Sequence, residues 1–360
     1  MTDWIARDDA LTQLLADAPD TLGLDTEFMR TNTWLPRLAL VQAEIGGRIA
    51  LLDPTEPLDP APLAAVLADP ARTIVMHSAS EDLEALATWS CSIATLFDTQ
   101  IAAAFAGLGP GLGYQKLVAQ IAEVELPKGE TRSDWLQRPL SERQLEYAAQ
   151  DVVYLPHLHR ELSARVAARG YAAWLAADCA RMLERARDRE PDPQPQLALR
   201  GAAGWSSAQQ ALLRRLLRWR DATARTIDRP RGWLLDDAHA LDLAARPPRD
   251  GEELAERTRG LRALRSAQRA ELLEQLKTPL GETDRDTQPI PQALSNRDKH
   301  AIAAMKEVIA ERARTLDLPE GLLCARRHLE SLLATRQWPS ALDGWRREHL
   351  HDALLARLPS

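Results

Sequence analysis

The sequence predicts a mixed α/β domain followed by two small all-α domains. Short apolar runs come first and predict β-strands, three of them close together: TLGLDTEF, LALVQAE, RIALLD and TIVMHS. Helical patterns follow these runs, as in domains whose helices pack around a sheet. From residue 205 onward the pattern is almost entirely helical, and part of it occurs twice. These three observations together define the predicted fold class.

The helices of the α/β domain are recognised by their first residues and their periodicity. SEDLEALATWS has two acids in its first turn, where the helix dipole favours negative charge. TQIAAAFAGL follows Asp98, which we expect to cap that helix. YQKLVAQIAEV and the long segment SERQLEYAAQDVVYLPHLHRELSARVAARG complete the set. We therefore expect helices to cover a sheet built from the preceding strands.

The helical part of the chain contains a repeat. SSAQQALLRRLLRWRDATART begins with serine caps and places four leucines on one face. ARTIDRPRGWLL begins at Ala224, and ARTLDLPEGLLC begins at Ala313, an offset of 89 residues. In each copy, Asp-x-Pro-x-Gly has the composition of a turn. We interpret the two copies as a duplicated helical domain.

The length and composition predict two or three domains in a reducing compartment. The chain has 360 residues, of which 45% are hydrophobic. Segments 189–204 and 277–296 are rich in proline and polar residues and are predicted to be linkers. The predicted domains are therefore 1–190, 205–278 and 293–358. The three cysteines are far apart in the sequence and exclude a disulfide scaffold or a zinc knuckle: Cys91, Cys179 and Cys324.

Charge is distributed unevenly along the chain. The net charge is −7, but residues 1–190 contain 17 basic and 28 acidic residues, whereas residues 205–278 contain 15 and 11. A basic surface is therefore available in the first helical domain. The first twenty residues lack the features of a signal peptide, and no apolar run approaches the length of a membrane span. We expect a cytoplasmic protein without a membrane partner, and a monomer by default.

Two acids lie inside a predicted strand. Asp25 and Glu27 are two residues apart, so their side chains point to the same face, about 7 Å apart along the strand. Two carboxylates on one buried face repel each other unless they are protonated or a divalent cation lies between them. The alternative is an ordinary strand whose acidic face is exposed to solvent, and the Asp-x-Glu pattern alone does not exclude it.

Two further segments supply acids that could meet this pair. Asp82 follows a strand at the start of a helix, where capping alone would also explain it. Tyr147 and Asp151 are four residues apart and share one helical face. Carboxylates converging from a strand and two helices are suited to Mg²⁺ or Mn²⁺, as in two-metal hydrolysis of phosphodiesters.

These segments resemble a known family. LDTEF, HSASEDLEAL and YAAQDVVYL resemble the three exonuclease motifs of the DEDD superfamily, in its tyrosine-bearing branch. RTNTWLPRLALVQ and KGETRSDWLQRPLSERQLEYAAQDVVYL resemble the ribonuclease D family. The resemblance implies an RNase H-like catalytic domain, two helical HRDC domains and two divalent metal ions, Mg²⁺ or Mn²⁺. It also implies 3′→5′ removal of nucleotides from structured RNA with a free 3′ end, such as tRNA precursors.

The resemblance assigns roles to five residues. Asp25, Glu27 and Asp151 would hold the ion that activates water. Asp25 would also contact the second ion, to which Asp82 would contribute directly or through water. Tyr147 would orient the attacking water. All five residue types are present where the family pattern requires them.

Several other residues are predicted to contact RNA. Arg30 and Thr31 follow the Asp-x-Glu strand, while Lys128 and Arg132 precede Trp135, whose ring could stack on a base. A packed core role for Trp135 remains equally open. The arginines of the first helical domain could contact phosphates, or could simply form a solvated helix face: Arg214, Arg215, Arg218, Arg229 and Arg231. In the second copy, Leu318 and Glu320 replace Arg229 and Arg231.

Two other functions remain open at this stage. The same chemistry could act on DNA, although no polymerase or helicase region accompanies the domain. The chain could also be an inactive RNA-binding scaffold, whose signature would be a lost acid. All four acids are present, and this favours an exoribonuclease.

Overall fold

The protein divides into two compact units. Its structure, a computed structural model, describes residues 2–127, 129, 133–188 and 190–359. The first unit consists of residues 1–29, 36–188 and 296–360, and the second of residues 30–35 and 189–295. Within the described residues, no helix is long and apolar enough to cross a bilayer.

A mixed sheet forms the centre of the first unit. In the part of the chain that the structure describes, it has six strands: β1 (Thr2–Ile5), β2 (Thr21–Met29), β3 (Arg37–Ile45), β4 (Arg48–Leu52), β5 (Thr73–Met76) and β6 (Leu96–Asp98). Their order is β1-β4-β3-β2-β5-β6. β3 runs antiparallel to both neighbours, and the other pairs are parallel. The four predicted strands are confirmed, whereas β1 and β6 are too short to produce a clear pattern in the sequence.

Helices cover this sheet, and they are arranged largely as predicted. They are α1 (Asp8–Leu15), α2 (Ala61–Leu67), α3 (Ser80–Thr88), α4 (Thr99–Phe105), α5 (Tyr114–Ala122), α6 (Glu142–Val153), α7 (Leu155–Ala168) and α8 (Ala172–Arg187). The long segment predicted as helical from Ser141 to Gly170 is divided into α6 and α7 at Tyr154. The break is explained by Pro156, which lacks an amide hydrogen and fits the first turn of a new helix.

The second unit is helical. Its elements are α9 (Ser207–Thr226), α10 (Arg231–Leu234), α11 (Asp237–Ala245), α12 (Gly251–Arg257), α13 (Ser266–Lys277) and α14 (Glu282–Arg285). A capping box between Ser206 and Gln209 starts α9. The predicted leucine face of α9 is largely confirmed, because Leu213, Leu216 and Leu217 are buried in the core of this unit.

The two segments predicted to be linkers are packed against α9 instead. Gln196 and Ile290 are almost completely buried. The Gln196 side-chain amide donates a hydrogen bond to the backbone oxygen of Gln288 (3.0 Å), and the Ile290 amide donates one to Gln210 Oε1 (2.7 Å). The expectation of free linkers is therefore wrong for these residues. Both segments contain short helical turns, such as Pro195–Ala198 and Glu282–Arg285, and buried hydrogen bonds fix them in place.

The C-terminal helices repeat the order of the second unit. They are α15 (Asn296–Leu316), α16 (Glu320–Leu323), α17 (Arg326–Thr335) and α18 (Trp345–Leu355). α15, α16 and α17 begin 89 residues after α9, α10 and α11, respectively. The turn aspartates of the two copies, Asp228 and Asp317, both have positive φ values, 48° and 46°. These correspondences support the predicted duplication.

The C-terminal helices belong to the first unit because they pack on its helix α8. The Arg346 guanidinium donates two hydrogen bonds of 2.6 Å to the Asp178 carboxylate. The rings of Trp174 and Trp345 stack 4.5 Å apart with an angle of 6° between their planes. A buried ion pair and an aromatic stack therefore attach the second helical copy to the α/β fold.

Candidate active site

Strand β2 carries Asp25 and Glu27 on one face, as predicted. Both residues pair with β3, Asp25 opposite Gln42 and Glu27 opposite Leu40, and a bulge follows Glu27. β2 pairs with β5 only over Thr21–Gly23, so the acid-bearing end of β2 has β3 as its single hydrogen-bonded neighbour among the described residues. Side chains from other elements can therefore approach Asp25 and Glu27 on the side of β2 where no strand pairs with this end.

Helix α3 brings Asp82 to this strand end. α3 packs against β2, and Asp82 in its first turn is only 9% exposed. The Thr26 hydroxyl donates a hydrogen bond of 2.6 Å to Asp82 Oδ1. Asp98 fixes the start of α3, because its second carboxylate oxygen accepts the Ala79 amide (2.9 Å). Its first oxygen caps α4, which confirms the predicted capping role.

Helix α6 brings the tyrosine and the fourth acid. A capping box between Ser141 and Gln144 starts the helix, and its inner face packs against β2. Tyr147 and Asp151 lie one turn apart on this helix, and the Tyr147 hydroxyl lowers the pKa of the Asp151 carboxyl. Strand β2 and helices α3 and α6 therefore bring together all five residues that the sequence singled out.

The electrostatics show how closely the acids are grouped. Burial raises the pKa of Asp25 well above its ordinary value, and repulsion from Asp82, Asp151 and Glu27 raises it further. Burial likewise raises the pKa of Glu27 to about 8, with repulsion from Asp151 and Asp82 adding to the effect. One acidic environment thus spans three separate elements of the fold.

Asp82 and Asp151 have raised pKa values for the same main reason. Burial raises the pKa of Asp82 to about 6, although the hydrogen bond from Thr26 opposes this shift. Burial raises the pKa of Asp151 to about 7, although the nearby Tyr147 hydroxyl opposes this shift. Four acids with such values mark a site that strongly favours added positive charge.

The donor set fits a hard divalent cation. Carboxylate oxygens are the ligands that Mg²⁺ and Mn²⁺ prefer. Among the described residues, no three acids, histidines or cysteines are grouped closely enough to enclose one ion by themselves. Mg²⁺ does not require such a cage, since it commonly uses one or two carboxylates together with water and substrate phosphate oxygens. The four buried acids therefore fit metal ions that are shared with a phosphate substrate.

The structure corrects part of the predicted RNA surface. Trp135 is 2% exposed and packs against the sheet and α6, so the prediction that it stacks on a base is wrong. Arg30 and Thr31 lie exposed in the loop 30–35, and Thr33 in the same loop is buried. Lys128 and Arg132 lie outside the described residues. Trp135 thus contributes packing where recognition was expected.

The arginines of the first helical domain fall into two groups. Arg214 is 5% exposed and donates hydrogen bonds to the backbone oxygens of Pro193 (2.7 Å) and Thr283 (2.8 Å). Arg215 forms a largely buried ion pair with Asp284. These two arginines hold the former linkers in place, and their predicted RNA contacts are wrong. Three predicted arginines are exposed: Arg218, Arg229 and Arg231.

Sequence reasoning missed Thr26 and the ion pair between Asp53 and Arg138. Thr26 lies between the two strand acids and was read only as part of the motif. The Arg138 guanidinium binds the Asp53 carboxylate through two hydrogen bonds of 2.6 Å. No local signal identifies this pair, because the two residues are 85 positions apart.

Comparison with known proteins shows the family of the chain. Residues 2–167 match the 3′–5′ exonuclease family, and residues 209–273 match the HRDC domain. Ribonuclease D of Xanthomonas oryzae pv. oryzae is 44% identical over 99% of this chain and 99% of its own length. The chain belongs to the ribonuclease D family. Ribonuclease D of Escherichia coli is 32% identical over 97% of this chain and 96% of its own length.

Solved structures extend the match to the whole fold. The crystal structure of Escherichia coli RNase D, described as an exoribonuclease involved in structured RNA processing, has a TM-score of 0.84 at 30% identity. The match covers 99% of this chain and 98% of the Escherichia coli chain. The predicted exonuclease domain and one HRDC domain are thereby confirmed. Membership of the ribonuclease D family makes the chain a 3′→5′ exoribonuclease.

Proposed function

We propose that this protein removes nucleotides one at a time from the 3′ end of structured RNA, such as tRNA precursors, by hydrolysis at the four-acid site. The observation that carries this proposal is the convergence of Asp25, Glu27, Asp82 and Asp151 in one buried, mutually repelling group. Hydrolysis by a cysteine nucleophile is disfavoured, because the three cysteines are buried.

The residues of the site have two roles: the four acids bind metal ions, and Tyr147 positions the attacking water. Asp25, Glu27 and Asp151 would each contribute oxygen ligands to one divalent ion, and Asp25 with Asp82 to a second, with water and substrate phosphate oxygens as the remaining ligands. Two such ions supply water activation and stabilise charge on the leaving 3′ oxygen. Tyr147 binds and orients the attacking water, because its hydroxyl lies in the same acidic environment as Asp151, Glu27 and Asp25.

We further propose that the duplicated helical regions are two HRDC domains, at 205–278 and 293–358, after an exonuclease domain at 1–190. In the first, the exposed arginines contact phosphates of the RNA backbone: Arg218, Arg229 and Arg231. Such contacts follow backbone shape, since A-form RNA hides the base edges of its major groove. The second copy has fewer basic residues at the equivalent turn, and it packs on α8.

The function is tested with an RNA labelled at its 5′ end that has a hairpin and a short 3′ tail. Mg²⁺ or Mn²⁺ should produce a ladder of products shortened by single nucleotides, and EDTA should abolish it. RNA blocked by a 3′ phosphate should be degraded more slowly, because a 3′→5′ exonuclease binds the terminal nucleotide. Internal cleavage of a circular RNA would contradict the proposal.

Variants connect this activity to the site. Asp25→Asn should lose nearly all activity, because Asp25 is the acid shared by both ions, while Asp17→Asn on the exposed surface should retain it. Tyr147→Phe should lower kcat and leave Mn²⁺ affinity unchanged.

A matched single-stranded DNA distinguishes the substrate class, since equal degradation of DNA and RNA would replace the RNA assignment with a general exonuclease.

A further inference from the structure

The ring of Tyr147 lies close to Gly129, a residue that has no role in the site described above. A Cβ atom added to Gly129 would lie 2.0 Å from Tyr147 Cε2, 2.8 Å from Cδ2 and 2.9 Å from Cζ. Real Cβ atoms do not approach other atoms this closely. Residue 129 must therefore be glycine for the backbone to lie against this ring.

Trp135 confines the same ring from another direction. Its ring centroid lies 6.0 Å from that of Tyr147, with an angle of 40° between the planes. Trp135 itself is packed among buried residues of β3, β4 and α6, including Leu40, Leu51 and Ala148. A side chain enclosed in this way has little freedom to move, so it offers Tyr147 a fixed surface.

The backbone next to Trp135 is attached to the sheet. Arg138 donates hydrogen bonds to the backbone oxygens of Trp135 (2.8 Å) and Ala39 (2.6 Å). The same guanidinium binds both carboxylate oxygens of Asp53, a residue only 1% exposed at the end of β4. The position of Trp135 is therefore determined by the sheet that also carries Asp25 and Glu27.

We propose that Gly129 and Trp135 are positioning residues that fix the Tyr147 hydroxyl beside Asp151 and thereby set the rate of the chemical step. The inference rests on the proposed water-orienting role of Tyr147. A ring confined on two sides keeps its hydroxyl in place before substrate binds, so that little orientational freedom remains to be lost during the reaction. Neither residue touches the reacting atoms in this mechanism.

The main test is Gly129→Ala, whose Cβ cannot be accommodated unless the Tyr147 ring and the residue 129 backbone move apart. We expect kcat to fall by roughly 10- to 100-fold, the range associated with a displacement of about 1 Å in an active site. The KM for RNA and the affinity for Mn²⁺ should remain unchanged, because the acids are not displaced. Gly113→Ala is the matched control in the same unit, since no atom lies within 4 Å of a Cβ at that position and its φ is −73°.

A double-mutant cycle with Tyr147→Phe separates positioning from general disruption. If Gly129 acts through the Tyr147 hydroxyl, Gly129→Ala should lower kcat in wild type and have little further effect in Tyr147→Phe. The same fold loss in both backgrounds would overturn the inference. An unchanged kcat in Tyr147→Phe alone would overturn the role of Tyr147 and this inference with it, while the exoribonuclease function would still be judged by the RNA ladder.

Trp135 is tested by a conservative and a non-conservative variant. Its indole nitrogen is buried without a hydrogen-bond partner among the described residues, so Trp135→Phe keeps the aromatic contact and removes no hydrogen bond. Trp135→Phe should retain most of kcat, whereas Trp135→Leu should lower it, with thermal unfolding showing that both variants are folded. A Trp135→Leu variant with wild-type kcat would overturn the role of Trp135.

Discussion

The four acids are placed where charge is unfavourable for the fold. Asp82 is 9% exposed, and the pKa values of all four are raised because burial and mutual repulsion disfavour the ionised forms. Local violations of ordinary burial rules are typical of functional sites, where other contacts must compensate. At the residue scale, the hydrogen bond from Thr26 to Asp82 and the Tyr147 hydroxyl near Asp151 provide part of that compensation.

The raised pKa of Glu27 predicts a pH dependence of stability in EDTA. Its ordinary value is 4.5 and its folded value is about 8, so the folded protein binds more protons than the unfolded chain between these two values. The free energy of unfolding should therefore fall as pH rises through this interval. Urea denaturation at a series of pH values measures the fall, which should be smaller in Glu27→Gln. A free energy of unfolding that rises with pH over this interval would contradict the expectation.

Thr26 is expected to support activity through Asp82. Thr26→Val removes the hydroxyl that donates to Asp82 Oδ1 and leaves a buried carboxylate without that bond. Partners of metal ligands typically contribute about 10- to 100-fold to metal affinity or activity, so both should fall in this variant. The control is Thr88→Val, because the Thr88 hydroxyl donates its hydrogen bond to the Ala85 backbone oxygen within α3, away from the acids. Equal activity of the two variants would exclude a supporting role for Thr26.

At the scale of elements, the arginines of α9 have two different roles. Its buried arginines hold neighbouring segments through backbone oxygens, as Arg214 does with Pro193 and Thr283. Its remaining arginines face outward, as Arg218 does. The guanidinium group suits both purposes, since it offers five donors and stays charged. A count of arginines therefore overestimates the surface available to RNA.

The exposed arginines should determine the salt dependence of RNA binding. Replacing Arg218, Arg229 and Arg231 by glutamine should reduce the slope of log Kd against log salt concentration by about 2, if each neutralises one phosphate. The measurement uses RNA titrations in the inactive Asp25→Asn background. A matched control replaces three exposed arginines of the second copy: Arg326, Arg327 and Arg336. The same reduction in both triple variants would contradict a specific role for the first copy.

The turn aspartates of the two repeat copies bind different segments of the chain. In the second unit, Asp228 Oδ1 accepts the amides of Trp34 (2.8 Å) and Leu35 (3.2 Å). In the first unit, the equivalent Asp317 forms an ion pair of 2.9 Å with Arg169. The positive φ of both aspartates exposes their carboxylates at a turn, where they can accept hydrogen bonds from another segment. The two copies therefore share the turn, but the segment that the turn aspartate binds differs between them.

At the scale of the whole molecule, the C-terminal helices should contribute to the stability of the α/β fold. Arg346→Ala leaves Asp178 buried without its partner and should lower the free energy of unfolding by about 3–5 kcal/mol. Arg347→Ala removes an exposed pair with Asp343 and should change it by less than about 1 kcal/mol. Urea denaturation followed by circular dichroism measures both. Equal stability of the two variants would show that this contact does not hold the second copy in place.

The agreement between sequence and structure depends on the range of the interactions involved. The strand that carries Asp25 and the helix that carries Tyr147 were predictable, because hydrophobic period and capping residues act within a few positions. The roles of Trp135 and Arg214 were not predictable, because both depend on partners far away in the chain. The family resemblance supplied the roles of the five site residues, which spacing alone left open.

The sequence by itself determined the main strands and helices, the duplicated helical region and the five residues of the site. Only the tertiary structure decided which arginines are exposed, that the former linkers are packed, and that Gly129 and Trp135 confine Tyr147. The physical reason is that local patterns encode backbone conformation and the burial of one face. The environment of a single side chain is set by residues that the folded chain brings beside it.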